Sequence, residues 1–328
     1  MSEISFAGRS VIITGAGKGI GRQHAVDITA RGGRVVVNDK DAASADAVVE
    51  EITHAGGTAV ASHESVCSPE GGRAIVDKAV ETFGTVEVII HNAGTVNPAM
   101  YEDMTPEMIR EQIDVHLFGG FWVTQPAWRI LKQNGYGRVV FTGSTVGLFG
   151  QNVMANYGAA KMGLYGLVRA LAFESRHQDI NVNLMLPLAE TSIMDKVYQD
   201  HPDYFHWAYE DLADELGAMF EHHELLTPTV SSRLAVFLAS EACQVTGQAF
   251  SGMARRYAAV VLGVTDGWLA RDTTSVRAED IRDNFDLIKD RANYSEPASM
   301  PDEAINVAKR HGYWTSPSAR STQPVRTL

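Results

Sequence analysis

Two cysteines in 328 residues, Cys67 and Cys243, with no C-x-x-C pairing, exclude a disulfide scaffold or a thiolate zinc site and fit a reducing compartment. Long apolar runs are also missing. Stretches such as AAVVLGV (258–264) fall far short of the ~20 residues that span a bilayer. The first ten residues, MSEISFAGRS, lack the basic cluster and apolar segment of a secretory signal, and the final V-R-T-L is no peroxisomal address. A cytoplasmic protein without membrane partners is therefore expected. Positive charge is scarce: 28 Lys and Arg stand against 40 Asp and Glu, for a net charge of −12. No basic field is available to hold a nucleic acid backbone.

A metal reading also lacks its pattern. Y-Q-D-H-P-D-Y-F-H-W-A-Y (198–209) and H-H-E (222–224) gather four histidines among carboxylates, but no H-x-x-x-H pair shares a helical face. No metal is expected.

What the chain does have is rhythm. Short apolar runs at 9–15, 34–39, 58–63, 86–94, 137–144 and 179–187 alternate with helix-like segments at 20–31, 41–56, 69–84 and 154–175. Strands that are apolar almost throughout, each followed by a helix, predict a parallel sheet covered on both faces, a doubly wound α/β fold. A helix near 228–240 and a strand near 247–252 complete a domain spanning 1–254. Residues 255–328 form an extension with a T-D-G turn at 265–267, a helix-like stretch at 279–291 and a Pro/Ser-rich end whose last residues are expected to be poorly ordered.

Three features carry chemistry. T-G-A-G-K-G-I-G (14–21) leaves the first strand and opens the first helix, with glycines at 15, 17, 19 and 21. A tight turn, a close backbone approach and a free helix N-terminus are what a pyrophosphate needs. Asp39 ends the second strand, where a carboxylate accepts from both adenosine ribose hydroxyls and repels a 2′-phosphate, favouring NAD over NADP. Lys18 and Lys40 argue the other way, since either ammonium would attract that phosphate. N-Y-G-A-A-K (156–161) places Tyr157 and Lys161 one helical turn apart on a shared face.

These motifs, with H-N-A-G (91–94) and a serine at 144, thirteen residues before Tyr157, resemble the short-chain dehydrogenase/reductase family over about residues 5–252. The resemblance is closer to one branch, the (3R)-hydroxyacyl-CoA dehydrogenase unit of peroxisomal multifunctional enzyme type 2. It is carried by V-V-V-N-D (35–39), E-S-V (64–66), V-H-L (115–117), Y-G-R-V-V (136–140) and G-Q-N-V-M-A-N-Y (150–157). Against that branch, hydratase and carrier domains and a peroxisomal tail are not expected, and the 188–227 segment is longer.

The resemblance implies a Rossmann fold of the short-chain dehydrogenase type and an NAD-dependent dehydrogenase acting on a CH–OH donor. Tyr157 would be the general base and Ser144 would hydrogen-bond the substrate oxygen. A phenol titrates near pH 10, so a nearby Lys161 ammonium is expected to lower it and to hold the nicotinamide ribose. His116 stands where most members have an asparagine that holds a relay water; it would carry that relay or hold the local backbone. Cofactor contacts are expected from Gly15, Lys18, Gly19, Ile20, Gly21 and Asp39, from Ser65 and Val66 at the adenine, and from Asn92, Ala93 and Gly94 at the adenosine. Tyr157, Lys161, Pro187 and Thr191 would complete them around the nicotinamide, although P-L-A-E-T does not match the common P-G-x-x-x-T.

Residues 188–227 are expected to form a substrate lid, with Tyr204, Phe205 and Trp207 offering apolar surface; the alternative is a loop packed on a neighbouring subunit. The leading substrate is a 3-hydroxyacyl-CoA, with Arg255 and Arg256 as candidates for its phosphates. A hydroxysteroid or other bulky alcohol is the second reading, and a silent cofactor-binding regulator the third. Residues 119–133 and 154–175 carry more apolar residues than one buried face needs, and the resemblance implies that these helices form the interface of a homodimer or homotetramer.

Overall fold

β-branched residues crowd the helical turn but pack well on a pleated surface, and the runs rich in them fold as strands. The computed structural model describes residues 3–209, 221–270 and 276–312. Its main sheet has eight strands: β1 (Ser10–Thr14), β2 (Arg34–Asn38), β3 (Thr58–Ser62), β4 (Val88–His91), β5 (Tyr136–Thr142), β6 (Asp179–Pro187), β7 (Ala249–Met253) and β8 (Arg256–Val260). They lie in the order β3-β2-β1-β4-β5-β6-β7-β8, parallel from β3 through β7. The order reverses between β1 and β4, so a crevice opens at their carboxyl ends, where open α/β sheets bind ligands.

The helices lie in two layers. On one face α1 (Gly19–Thr29), α2 (Ala42–His54) and α10 (Pro228–Leu238) cover Val11, Ile13, Val35 and Val37. On the other, α3 (Pro69–Phe83), α5 (Gly119–Asn134) and α7 (Ala155–Glu174) cover Ile12, Val36, Ile89 and Phe141. Each fully buried Ile or Phe among these contributes on the order of 1.5–3 kcal/mol. Sequence punctuation sets the helix ends. α3, for instance, begins at Ser68, whose hydroxyl accepts from the Gly71 N–H, has Pro69 in its first turn, and stops at Gly84 with φ 84°. Shorter helices complete the site end: α4 (Pro106–Gln112), a π-helical turn at Ile113–Phe118, α6 (Thr145–Phe149), α8 (Ser192–Asp200) and α9 (Tyr204–Tyr209).

The sheet extends past the boundary expected at residue 254. After Ala254 and Arg255, both at positive φ, β8 turns back and pairs antiparallel with β7. The first compact unit therefore runs to Val260. The second is Val261–Leu328; among its described residues are a two-stranded sheet (β9, Val264–Thr265; β10, Tyr294–Ser295) and three helices, α11 (Ala278–Asp283), α12 (Phe285–Ile288) and α13 (Met300–Arg310). The helix expected at 279–291 breaks at Asn284, and α13 forms inside the Pro/Ser-rich end, capped by Ser299. The last residues of that end lie outside the described ones. Among the described residues, no helix is long and apolar enough to cross a membrane.

Candidate active site

The glycine turn leaves β1 at the reversal point. Gly15 takes φ 61°, and a Cβ there would stand 2.7 Å from the Ala93 Cα; at Gly21 it would stand 2.1 Å from the Gly15 carbonyl oxygen. Only glycine lets the turn, the 91–94 segment and α1 approach this closely. Lys18 is the N-cap of α1 and makes no side-chain cap, so the first-turn N–H groups keep their capacity for an anion. That is the fit a dinucleotide pyrophosphate requires. A cavity of about 480 Å³ opens beside the turn, lined by Gly17, Lys18, Gly19 and Arg22 from one side and Glu190, Thr191, Ser192 and Asp195 from the other.

A buried hydroxyl that sequence reading passed over holds this turn. Thr14 Oγ1, fully buried, accepts from the N–H groups of Asn92 and Ala93, each at 3.1 Å. It lies 3.1 Å from His91 Nδ1. His91 Nε2 donates to the His116 carbonyl at 3.1 Å, so the ring carries its proton on Nε2, and Thr14 donates to Nδ1. Burial, with the Lys161 charge behind it, pushes His91 down to about 4, so the ring is neutral at neutral pH. The Asn92 amide donates to the carbonyls of Thr14 (3.3 Å) and Gly15 (3.1 Å). Asn92 and Ala93 thus spend their N–H groups on Thr14, and Gly94 lies against the His116 ring.

At the end of β2, Asp39 accepts from the N–H groups of Gly17 and Asp41, one on each carboxylate oxygen and both at 3.0 Å. The neighbouring Asn38 amide donates to the Ser62 and Glu64 carbonyls (3.1 and 2.9 Å), tying down the segment that leads to Ser65 and Val66. Ser65 is exposed, whereas Val66 turns its side chain inward beside Gly119.

Ser144, Tyr157 and Lys161 converge at the carboxyl end of β5. Ser144 caps α6, its Oγ accepting from the Val146 N–H at 3.1 Å, and is hydrogen-bonded to the Tyr157 hydroxyl. Lys161, nearly fully buried, donates to the Thr142 carbonyl at 2.7 Å, with its Nζ 5.5 Å from the Tyr157 ring centre. The turn before α7 holds Val153 at φ 58°, a left-handed conformation costly for a β-branched residue; the Ala99 N–H donates to its carbonyl at 3.0 Å.

The electrostatics differ from the expectation that Lys161 lowers Tyr157. Burial raises the Tyr157 pKa against the lowering effect of the Ser144 bond, and burial pulls Lys161 down to about 7. Desolvation disfavours both charged forms, an effect that spacing alone does not reveal. His116, 1% exposed, stands edge-on to Tyr157 with ring centres 5.2 Å apart. Its Nε2 donates to the Thr95 carbonyl at 2.8 Å, while Nδ1 is buried without a partner. Burial first, then the charge of Lys161, holds it well below the usual histidine range.

Pro187 ends β6 opposite Gly252, and Thr191 stands at the N-cap position of α8 without a side-chain cap bond, its methyl over Gly19. In the 188–227 segment Tyr204 points inward, 1% exposed, packing with Val153, Met154 and Val197 in a cluster that reaches Tyr157. The Gln151 amide donates to its hydroxyl at 2.9 Å. Trp207 is part-exposed, whereas the Phe205 side chain and residues 210–220 lie outside the described residues. Of the histidines considered for a metal, His223 pairs with Glu190 at 2.7 Å, and among the described residues no three potential ligands gather.

Residues 9–202 match the family model described as short chain dehydrogenase. A peroxisomal multifunctional enzyme type 2 from Mus musculus is 34% identical over 318 residues, covering 94% of this chain and 40% of its own length. The full-length structure of that enzyme from Drosophila melanogaster superposes with a TM-score of 0.75 at 25% identity, over 94% of this chain and 50% of the other. A 7α-hydroxysteroid dehydrogenase complexed with NADH and 7-oxo glycochenodeoxycholic acid superposes with a TM-score of 0.67 at 29% identity, over 76% and 94%. The chain thus spans half or less of the length of these two multifunctional relatives.

Proposed function

The chain belongs to the short-chain dehydrogenase family of oxidoreductases, and from that premise we propose that it oxidises a secondary alcohol to a ketone with NAD. The observation that carries the reading is the convergence of half-buried Ser144 and Tyr157 with buried Lys161 at the carboxyl end of β5, beside a glycine turn with an uncapped helix N-terminus. The nicotinamide dinucleotide would be held by Gly15, Gly19, Ile20 and Gly21 at its phosphates, by Asp39 at the adenosine ribose, and by Lys161 and Thr191 toward the nicotinamide. When bound, it supplies the acceptor for the hydride.

The protein's own residues handle the proton. Ser144 holds the substrate oxygen, and Tyr157 Oη, once ionised, takes the hydroxyl proton as the carbon–hydrogen pair departs. Lys161, with a pKa of about 7, is positively charged in a large fraction of molecules at neutral pH; its charge favours the phenolate as that proton is taken. His116 stays neutral and holds the 94–95 segment through the Thr95 carbonyl.

The substrate we favour is a 3-hydroxyacyl-CoA, oxidised to the 3-ketoacyl-CoA. The extended likeness to the multifunctional enzymes supports it, as does Arg255, whose hairpin follows the carboxyl end of β7, the edge of the sheet that holds the site. A bulky hydroxysteroid is the second reading, favoured by the aromatic cluster of Tyr157, Tyr198, Tyr204 and Tyr209 and by the bile-acid-bound relative. A silent regulator would have no need of the assembled Ser144, Tyr157 and Lys161. Phe118, Phe121, Met162 and Phe173, all about 40% exposed on or beside α5 and α7, support a homodimer or homotetramer built on those helices. A cytoplasmic setting suits the two free cysteines, while the eukaryotic relatives are peroxisomal by name.

NADH formation with 3-hydroxyacyl-CoA thioesters, run beside free hydroxysteroids, tests the substrate. Turnover of steroids alone refutes the thioester. Tyr157→Phe should lose at least about a hundredfold in kcat while binding NAD within about twofold of the parent; retained turnover removes the base from Tyr157.

A further inference from the structure

Lys18 and Lys40 flank Asp39, and an ammonium beside the adenosine ribose should invite a 2′-phosphate. The structure gives one of them another occupation. Lys18 Nζ donates to Asp41 Oδ2 at 2.8 Å. The Asp41 carboxylate is not free to follow Lys18, because α2 fixes it: Ser44 Oγ donates to Oδ2 at 2.6 Å and the Ser44 N–H donates to Oδ1 at 3.4 Å. The Asp41 N–H in turn donates to Asp39 Oδ1, whose other oxygen accepts from the Gly17 N–H, one residue before Lys18. Glycine turn, ribose-site carboxylate and α2 N-cap thus form one connected chain, with Lys18 drawn across to its far end. The Lys18 and Ser44 bonds hold the Asp41 carboxyl down to about 2, so its charge is present across the working pH range.

We propose that Asp41 is a selectivity residue for the dinucleotide: it detains Lys18 at the N-terminus of α2, so that a 2′-phosphate meets two fixed carboxylates and an ammonium already engaged. The sequence offers two lysines that point to NADP, and the structure takes one of them out of play. This rests on the reading of the crevice as a dinucleotide site. It adds a residue to that reading, since Asp39 alone would repel the phosphate while leaving Lys18 free to attract it.

The test is direct binding of NAD and NADP by isothermal titration calorimetry, which needs no substrate and no turnover. Asp41→Asn removes the charge and keeps a good N-cap, and Asp41→Ser caps through a hydroxyl. Thermal melting checks that both variants remain folded. Removing one negative charge and releasing one positive charge should tighten NADP binding roughly fivefold or more, with NAD changed less than about twofold. Adding Lys18→Ala to Asp41→Asn should remove most of the gain, leaving only what loss of the Asp41 charge contributes by itself. NADP affinity unmoved in both single variants overturns the proposal. So does a gain that survives Lys18→Ala undiminished, since Lys40 or the field alone would then be responsible. A folded parent that binds neither dinucleotide refutes the dinucleotide reading itself, a result distinct from failure of the Asp41 assignment.

Discussion

Thr14→Val separates a hydroxyl from the methyl that accompanies it. The substitution is nearly isosteric, so the fully buried site loses no volume, but three partners are stranded: the N–H groups of Asn92 and Ala93, and the Nδ1 acceptor of His91. Each buried polar group left without a partner costs about 1–3 kcal/mol. The three share one site and relax together, so the total should fall near 3–5 kcal/mol rather than at the upper sum. A domain of this size shifts by ~2–4 °C per kcal/mol, which gives a drop in Tm of about 6–20 °C. Thr14→Ser keeps the hydroxyl and loses one methyl, about 1 kcal/mol, and serves as the control. Scanning calorimetry or urea unfolding reads both, and the same samples report NAD affinity, which should weaken in the valine variant because the 91–94 segment frames the glycine turn. A valine variant no less stable than the serine one would show that Thr14 Oγ1 is not the hub of these bonds, and the tautomer assigned to His91 would fall with it.

Two further outcomes follow from the buried titrating groups. His24, His91 and His116 are neutral in the fold, with folded pKa values below the unfolded value near 6.5 (about 3 for His24, about 4 for His91). From pH 6.5 downward the unfolded chain takes up protons that the folded chain refuses, so stability is lost as pH falls toward 4, by up to about 1.4 kcal/mol per pH unit for each histidine. Urea midpoints measured from pH 7 to 4.5 should fall steeply, less so in His24→Gln, and a flat profile would contradict the burial of these rings. In the active site, burial raises Tyr157, so the phenolate that takes the alcohol proton becomes more plentiful with rising pH. The oxidation rate should climb from pH 7 toward 10, damped because Lys161 loses above about pH 7 the charge that favours the phenolate, while ketone reduction, which uses the neutral phenol, does not climb; an oxidation rate that falls over that range would remove Tyr157 as the titrating base.

Much of this was legible in order along the chain, because a parallel strand buried on both faces announces itself as an unbroken apolar run. β8 did not. Its edge position leaves Arg256 and Tyr257 exposed, and nothing in R-Y-A-A-V contrasts with a loop. The glycine turn, Ser144, Tyr157 and Lys161 could be named as candidates from the motifs they share with the short-chain dehydrogenase family, since each sits on a local element. What spacing could not supply was the environment. Lys161 reads as a cation until α7 is packed against β5, and only then does desolvation pull it to about 7. Thr14 and His91 were hidden for a different reason: they lie 77 residues apart and meet only because β4, rather than a neighbour in sequence, lies beside β1. Asp41 looks like an ordinary helix cap, which it is; its second partner, Lys18, comes from another turn 23 residues back.

That separation between Thr14 and His91 also bears on how the protein comes into being. The phosphate-binding motif is complete once residue 21 has been made, yet the contacts that shape it come from Asn92 and Ala93, with His91 locking Thr14 in turn. Pairing of β1 with β4 closes a loop of more than seventy residues, a non-local event whose closure entropy slows folding. A chain halted before β4 would therefore carry the entire glycine motif and hold no dinucleotide. A dinucleotide added during refolding should stabilise only molecules that have already brought these two strands together.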